Sequence, residues 1–241
     1  MKSSTELRVS LGTGAATTAL VYRASAAASS ATCTPALILA HGAGAGQRHP
    51  FIVDFASALS DRGLDVITFN FLYTEQQRRI PDRGPALEAC YRAVVACVRG
   101  EVPSARHALF IGGKSMGGRI ATQIAAASRE LPVVGLVLLG YPLHPPNQFD
   151  KRRDAHLPAV GRPMLFVQGS RDPFGTPPEL SPVLAGLSPT PTLHVVEGGD
   201  HSFKLSGRNR AAAQAMAYAE VQKAIADWML ALTPGRADAR R

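Results

Sequence analysis

The sequence predicts an α/β protein: a mostly parallel central sheet of about eight strands, with an antiparallel pair at its N-terminal end and helices on both faces. Three observations carry that reading. Short apolar runs recur along the chain, with segments of helical periodicity between them. Several runs, such as Val133-Val134-Gly135-Leu136-Val137-Leu138-Leu139, are apolar almost throughout rather than alternating, as a strand covered on both faces requires. Finally, Ala108 to Arg119 reads as a strand that stops abruptly, a tight turn and a helix that starts at once. At 241 residues and 46% hydrophobic content the chain can bury such a sheet as one domain, residues 1–241.

In chain order, Glu6 to Leu11 and Thr18 to Tyr22 form the antiparallel pair around turn glycines, and Ser25 to Thr34 reads as a flexible Ala/Ser/Thr-rich connection. The buried strands end near Ala40, Asn70, Gly112, Gly140, Gly169 and Glu197. Phe51 to Asp61 is a helix with Gly63 as its C-terminal stop, and Cys90 and Cys97 lie seven apart on another. Only a short Pro-rich, charged segment, His144 to Arg162, separates the Gly140 strand from the run beginning at Pro163. Pro177-Pro178-Glu179-Leu180 suggests a short helix. Near the end, Tyr218, Val221, Ile225, Trp228 and Leu232 share one side of a helix, which makes the single tryptophan core before substrate contact. Residues 234–241 read as a flexible basic tail.

The turn in 108–119 carries G-x-S-x-G, Gly113-Lys114-Ser115-Met116-Gly117. A serine hydroxyl is a poor nucleophile in water, so an enzyme using one must push it out of the backbone beside a base and free N–H groups. The pattern arises readily by chance in a chain with 22 glycines, so its context decides. A phosphate-binding P-loop ending at Gly113-Lys114-Ser115 would need its first glycine where Ala108 stands, and Leu109-Phe110-Ile111 is a buried strand rather than a loop. An acid and a histidine should follow, each on a loop after a strand. Asp172, in Ser170-Arg171-Asp172-Pro173-Phe174-Gly175, is the candidate acid; capping the short helix at Pro177 is its competing role. His201, in Gly198-Gly199-Asp200-His201-Ser202-Phe203, is the candidate base. Glu197 and Asp200 are rival acids, but a residue adjacent to the histidine points poorly at its ring.

Upstream, Pro35 to Ala40 leads into His41-Gly42-Ala43-Gly44-Ala45-Gly46, a loop whose backbone N–H groups would join the Met116 N–H around an oxyanion. Ala43 is the expected second donor, with Gly44 as the alternative, and His41 is expected to bond the backbone beneath the loop. A dinucleotide fingerprint fails here, because Gln47 stands where the third glycine belongs and the next strand ends in Asn70, not a carboxylate. Tyr73, Tyr141, Leu143, Phe174 and Phe203 follow strands at positions that could line the cleft, or else pack beneath it.

His41-Gly42-Ala43-Gly44, Gly113-Lys114-Ser115-Met116-Gly117-Gly118-Arg119, Gly169-Ser170-Arg171-Asp172-Pro173-Phe174-Gly175 and Gly198-Gly199-Asp200-His201-Ser202-Phe203, in this order, resemble the α/β-hydrolase family. The resemblance, from about residue 35 to about 232, is to the lidless, dienelactone-hydrolase-like branch, which includes small bacterial hydrolases and a domain in a chromatin acetyltransferase-complex subunit. It implies a three-layer α/β-hydrolase sandwich, with Ser115 as nucleophile, Asp172 as acid, His201 as base, and Ala43 and Met116 as oxyanion donors. Dienelactone hydrolase itself uses cysteine where this chain has Ser115, so its substrate is not carried over.

The expected activity is serine hydrolysis of small carboxylic esters through an acyl-enzyme, with thioesters and amides as further candidates. The alternative is a catalytically idle hydrolase fold used as an interaction module. No cofactor is expected. His144, His156 and His194 lack ligand spacing, so no metal site is expected either. The net charge of +8, from clusters at Arg78-Arg79, Lys151-Arg152-Arg153, Arg208, Arg210 and Arg236 to Arg241, reads as solvated basic faces. An anionic substrate or weak nucleic-acid contact is the sharper reading of the same charge, although no nucleic-acid motif appears. Three cysteines, Cys33, Cys90 and Cys97, show no C-x-x-C spacing, and neither a signal peptide nor a membrane-length apolar run is seen, so a cytoplasmic protein is expected. The oligomeric state is open.

Overall fold

The computed structural model describes residues 3–12, 14–25, 34–207 and 210–235. The connection after Ser25, Cys33, Arg208 and the tail from Arg236 lie outside these residues.

Strands β1 (Thr5–Ser10), β2 (Ala16–Tyr22), β3 (Ala36–Ala40), β4 (Asp65–Phe69), β5 (Leu109–Lys114), β6 (Gly135–Leu139), β7 (Met164–Gly169) and β8 (Thr192–Val196) form one sheet in the order β1-β2-β4-β3-β5-β6-β7-β8. β1 pairs antiparallel with β2, and β2 antiparallel with β4; the remaining pairings are parallel. The helices are α1 (Pro50–Asp61), α2 (Leu72–Glu75), α3 (Gly84–Glu101), α4 (Pro103–His107), α5 (Met116–Ala127), α6 (Pro177–Ala185) and α7 (Ala211–Leu232). Every residue of β3 to β7 is buried, which explains why those runs are apolar throughout.

Side chains alternate between two cores. Ala36, Ile38 and Ala40 of β3 join one core with Tyr91 and Val94 of α3 and Ile120 and Ile124 of α5. Leu37 and Leu39 face the other, with Phe51 and Phe55 of α1 and Val221 and Ile225 of α7. The last helix is rotated from the predicted stripe: Val221, Gln222, Ile225, Ala226 and Met229 are buried, and Tyr218, Trp228 and Leu232 pack at the border. Trp228 sits edge-on to Phe110 at 5.8 Å, a core contact. β5 runs on to Lys114 instead of stopping at Gly112, because Gly112 and Gly113 stay in register with Val137 and Leu138. Cys90 and Cys97 are free thiols on α3; burial pushes both above the ordinary thiol range, Cys90 to about 12, which disfavours the thiolate. The segment from His144 to Arg162 holds a single short 3-10 turn, Leu157–Ala159, and no lid helix.

Candidate active site

The loops after β3, β5, β7 and β8 meet at the carboxyl ends of parallel strands, where open α/β sheets form their clefts. Ser115 stands between β5 and α5 with φ 52° and ψ −114°, a conformation that costs a residue with a side chain about 1–3 kcal/mol. Neighbouring backbone holds it there. The Ser115 N–H donates to Leu139 O at 2.9 Å, and Ser115 O accepts the Arg119 N–H at 3.0 Å. The flanking glycines permit close approach: a Cβ on Gly113 would lie 2.5 Å from Ala40 O, and one on Gly117 would lie 2.7 Å from both Ala40 O and His41 O. The serine turn is thereby seated against the end of β3, and the 41–46 loop is brought beside it.

Asp172 is fully buried. Its Oδ1 accepts the Phe174 N–H at 2.8 Å, and its Oδ2 accepts Gln168 Nε2 at 2.8 Å and faces His201 Nδ1 at 2.7 Å. Three N–H donors thus converge on an acceptor-only group. Gln168 is itself fixed, since its Nε2 also donates to Gly175 O at 2.7 Å and its Oε1 accepts the Tyr141 N–H at 2.8 Å. On its far side, His201 Nε2 lies 2.9 Å from Ser115 Oγ. The Phe174 ring covers the imidazole at a centroid distance of 4.2 Å. His201 faces Asp172, not its rivals: Asp200 Oδ1 accepts the N–H groups of Ser202 and Lys204, and Glu197 is exposed. Nor does Asp172 cap α6, a position taken by Thr176, whose N–H and hydroxyl both donate to Glu179 Oε2.

Ala43 and Gly44 are the two central residues of a turn closed by the Ala45 N–H on Gly42 O at 3.3 Å, a bond that uses neither of their N–H groups. Met116 opens α5, where a helix leaves its first N–H groups unpaired. All three residues line one cleft with Ser115 and His201. His41, fully buried, braces the loop from behind: its Nδ1 lies 2.8 Å from Gly42 O, and its Nε2 accepts the Phe71 N–H at 3.2 Å.

Burial holds His41 well below the ordinary imidazole range, at about 4. Between pH 6.5 and 4 the unfolded chain therefore takes up a proton that the folded protein refuses. The stability this histidine contributes is complete above pH 6.5 and is lost as pH falls through that window, about 3 kcal/mol in all. His41→Gln is expected to flatten the fall in unfolding free energy between pH 6.5 and 4.5, measured by urea titration, by about 1.4 kcal/mol per pH unit. An unchanged slope would mean that His41 is protonated in the fold.

Of the five predicted substrate contacts, Phe174 lines the cleft. Tyr73 instead lines an adjoining hollow with Thr74, Gln77 and Arg79, and its buried hydroxyl has no hydrogen-bond partner in the fold. Tyr141, Leu143 and Phe203 correct the sequence reading. Tyr141 is buried with its hydroxyl donating to Arg153 O at 2.6 Å, Leu143 packs beneath Gly175, and Phe203 belongs to the core with Phe51 and Phe55. Further wall residues include Phe51 and Ile52 of α1, Leu87 of α3, Asp82, Pro142, Arg119 and Arg153, which sequence spacing did not place in the cleft. Gln168 did leave a signal, a polar side chain in the otherwise apolar run of β7. His144 and His156 are hydrogen-bonded, to Glu179 Oε1 at 3.1 Å and to Thr122 Oγ1 at 2.8 Å. Among the described residues no cluster of three or more metal-ligating side chains is formed, and no helix is long and apolar enough to cross a membrane.

A mostly parallel sheet with an antiparallel N-terminal pair, helices on both faces and a serine at the tight turn after its central strand is the architecture of the α/β hydrolases. The family model described as an alpha/beta hydrolase domain matches residues 33–230, and the chain belongs to that family. Solved structures similar to it include XC6422 from Xanthomonas campestris, described as an α/β serine hydrolase without a lid, at 20% identity and a TM-score of 0.71 over 98% of this chain and 97% of that one. Dienelactone hydrolase from Anabaena variabilis is similar at 20% identity and a TM-score of 0.73 over 96% and 98%. Est1E from Butyrivibrio proteoclasticus is similar at 14% identity and a TM-score of 0.71 over 94% and 98%. At these identities the likeness is one of fold.

Proposed function

We propose that this protein is a serine hydrolase of small carboxylic esters, working through an acyl-enzyme on Ser115. One observation carries the reading: the continuous chain from Asp172 Oδ2 to His201 Nδ1 at 2.7 Å and from His201 Nε2 to Ser115 Oγ at 2.9 Å. His201 takes the Ser115 proton as Oγ attacks the ester carbonyl, and Asp172 holds the tautomer that leaves Nε2 free to accept it. The oxyanion of the tetrahedral adduct is received by the N–H groups of Met116 and Ala43, with Gly44 as the alternative second donor; each is worth about 3 kcal/mol. His201 then gives its proton to the departing alcohol, and a water deprotonated by His201 releases the acid. Thioesters follow the same course with a thiol as leaving group. The cleft volume of about 550 Å³, with no lid helix over it, suits a small or extended substrate rather than a buried long acyl chain.

A fluorophosphonate probe, which phosphonylates an activated serine with loss of fluoride, tests the reading directly. Mass spectrometry is expected to find the label on Ser115 of the wild-type protein and none there in His201→Ala. A folded wild-type protein that takes no label and turns over no short-chain nitrophenyl ester would sink the catalytic reading and leave an interaction module.

A further inference from the structure

The cleft beside Ser115 carries more positive charge than it neutralises. Arg119 and Arg153 open on it, and among the described residues the carboxylate on its wall is Asp82. Asp82 is already engaged by Arg78 Nη2 at 2.7 Å. In the segment after β6, Asp154 is likewise engaged by Arg152 at 2.6 Å. Among the described residues, Arg119 and Arg153 have no carboxylate within ion-pair distance; Arg119 Nη1 reaches only Gln123 Oε1, at 3.5 Å.

The two guanidinium groups come from different elements whose backbones are pinned. Arg119 is in the first turn of α5, its N–H on Ser115 O at 3.0 Å. Arg153 donates its N–H to Leu143 O at 2.9 Å and accepts the Tyr141 hydroxyl on its carbonyl at 2.6 Å. Both side chains are half-buried, so the charges are screened less than on an open surface. They also act on one another. Burial, and after it the like charge of Arg119, pushes the Arg153 guanidinium below its ordinary range. Two such groups facing one cavity without a counter-charge are stabilised by an oxyanion placed between them, which a guanidinium fork binds bidentately.

We propose that the cleft selects esters or thioesters carrying a second, anionic group, a carboxylate or a phosphate, which Arg119 and Arg153 hold while the scissile carbonyl lies at Ser115. The proposal rests on the serine-hydrolase reading above, and its test separates the two.

Two matched pairs of substrates probe the two sources of charge. The nitrophenyl monoester of glutarate against nitrophenyl valerate places a carboxylate on the acyl side. The butyryl thioester of phosphopantetheine against that of pantetheine places a phosphate on the leaving side. In at least one pair the charged member is expected to show kcat/KM at least about tenfold above its neutral partner, the value of one charge-assisted bond. In Arg119→Gln/Arg153→Gln that ratio is expected to fall to about one, and in the wild type it should shrink with added salt. A neutral preference in both pairs, or a charged preference that survives the double substitution, overturns the proposal. If Ser115 takes no fluorophosphonate label and no ester turns over, the serine reading has failed, and calorimetry with glutarate and with inorganic phosphate decides the anion site alone. Binding lost in the double variant upholds the site; wild-type protein that binds neither overturns it.

Discussion

Asp172→Asn is expected to lower kcat/KM for a turned-over ester by about 10⁴-fold while leaving the fold intact. The size follows from the hydrogen bonds around this one carboxylate. Oδ2 accepts from Gln168 and faces His201 Nδ1, and Oδ1 accepts the Phe174 N–H. An asparagine has one oxygen and must turn its amide nitrogen toward one of these positions. Turned toward Phe174, two donors confront each other in a fully buried site. Turned toward His201, the amide donates to Nδ1 and drives the imidazole proton to Nε2, where it blocks proton transfer from Ser115. Ser115→Ala and His201→Ala should each cost at least as much, and the double variant Ser115→Ala/His201→Ala no more than either alone, because the pair acts as one device. Steady-state kinetics on a short-chain nitrophenyl ester, with circular dichroism to establish folding, measures all of these. An Asp172→Asn protein keeping more than about a tenth of wild-type activity would remove Asp172 from the orienting role.

The parts of this site that were legible in the sequence are those where one residue type has one physical use. Glycines at 113 and 117 mark a turn pressed against backbone, and the structure seats both on Ala40 O. Asp172 and His201 sit directly behind apolar runs, so knowing where β7 and β8 end was enough to place them. Continuous apolar runs likewise gave the buried strands. What could not be read is whatever depends on where a loop side chain turns. Tyr141, Leu143 and Phe203 occupy the same kind of position as Phe174, directly after strands, yet only Phe174 reaches the cleft. Phe203 is drawn into the core by Phe51 and Phe55, and Tyr141 is held by the Arg153 carbonyl. Arg119 and Arg153 are separated in sequence by a helix, a strand and a loop, so only the folded sheet brings them to one cavity. The buried stripe of α7 likewise falls on Met229, with Trp228 beside it and its indole edge-on to Phe110.

Lys114→Met is expected to make the protein more stable near neutral pH, and to lose that advantage in alkaline solution. Lys114 ends β5 with a side chain only 8% exposed. The position a Cβ on Gly140 would take lies 3.0 Å from Lys114 Nζ and 3.3 Å from His201 Nδ1, which places the ammonium group close behind the imidazole. Burial lowers its pKa from 10.5 to about 8, an effect that the charges of Asp172 and Asp200 only partly offset. The folded pKa is thus the lower one, and between pH 8 and 10.5 the unfolded chain holds a proton that the folded protein has released. Stability rises with pH across that window; below pH 8 the full cost of burying the ammonium, about 3 kcal/mol, is present. Methionine removes that cost. At pH 7 the variant should gain up to about 3 kcal/mol, with Tm rising about 2–4 °C per kcal/mol, and the advantage should fade as pH is raised from 8 to 10.5. Urea unfolding across pH 6–10.5 reads the effect. A variant that is less stable at pH 7 would mean that the ammonium stabilises the fold. With the expected result, Lys114 is a buried charge that the fold holds at a cost to its stability.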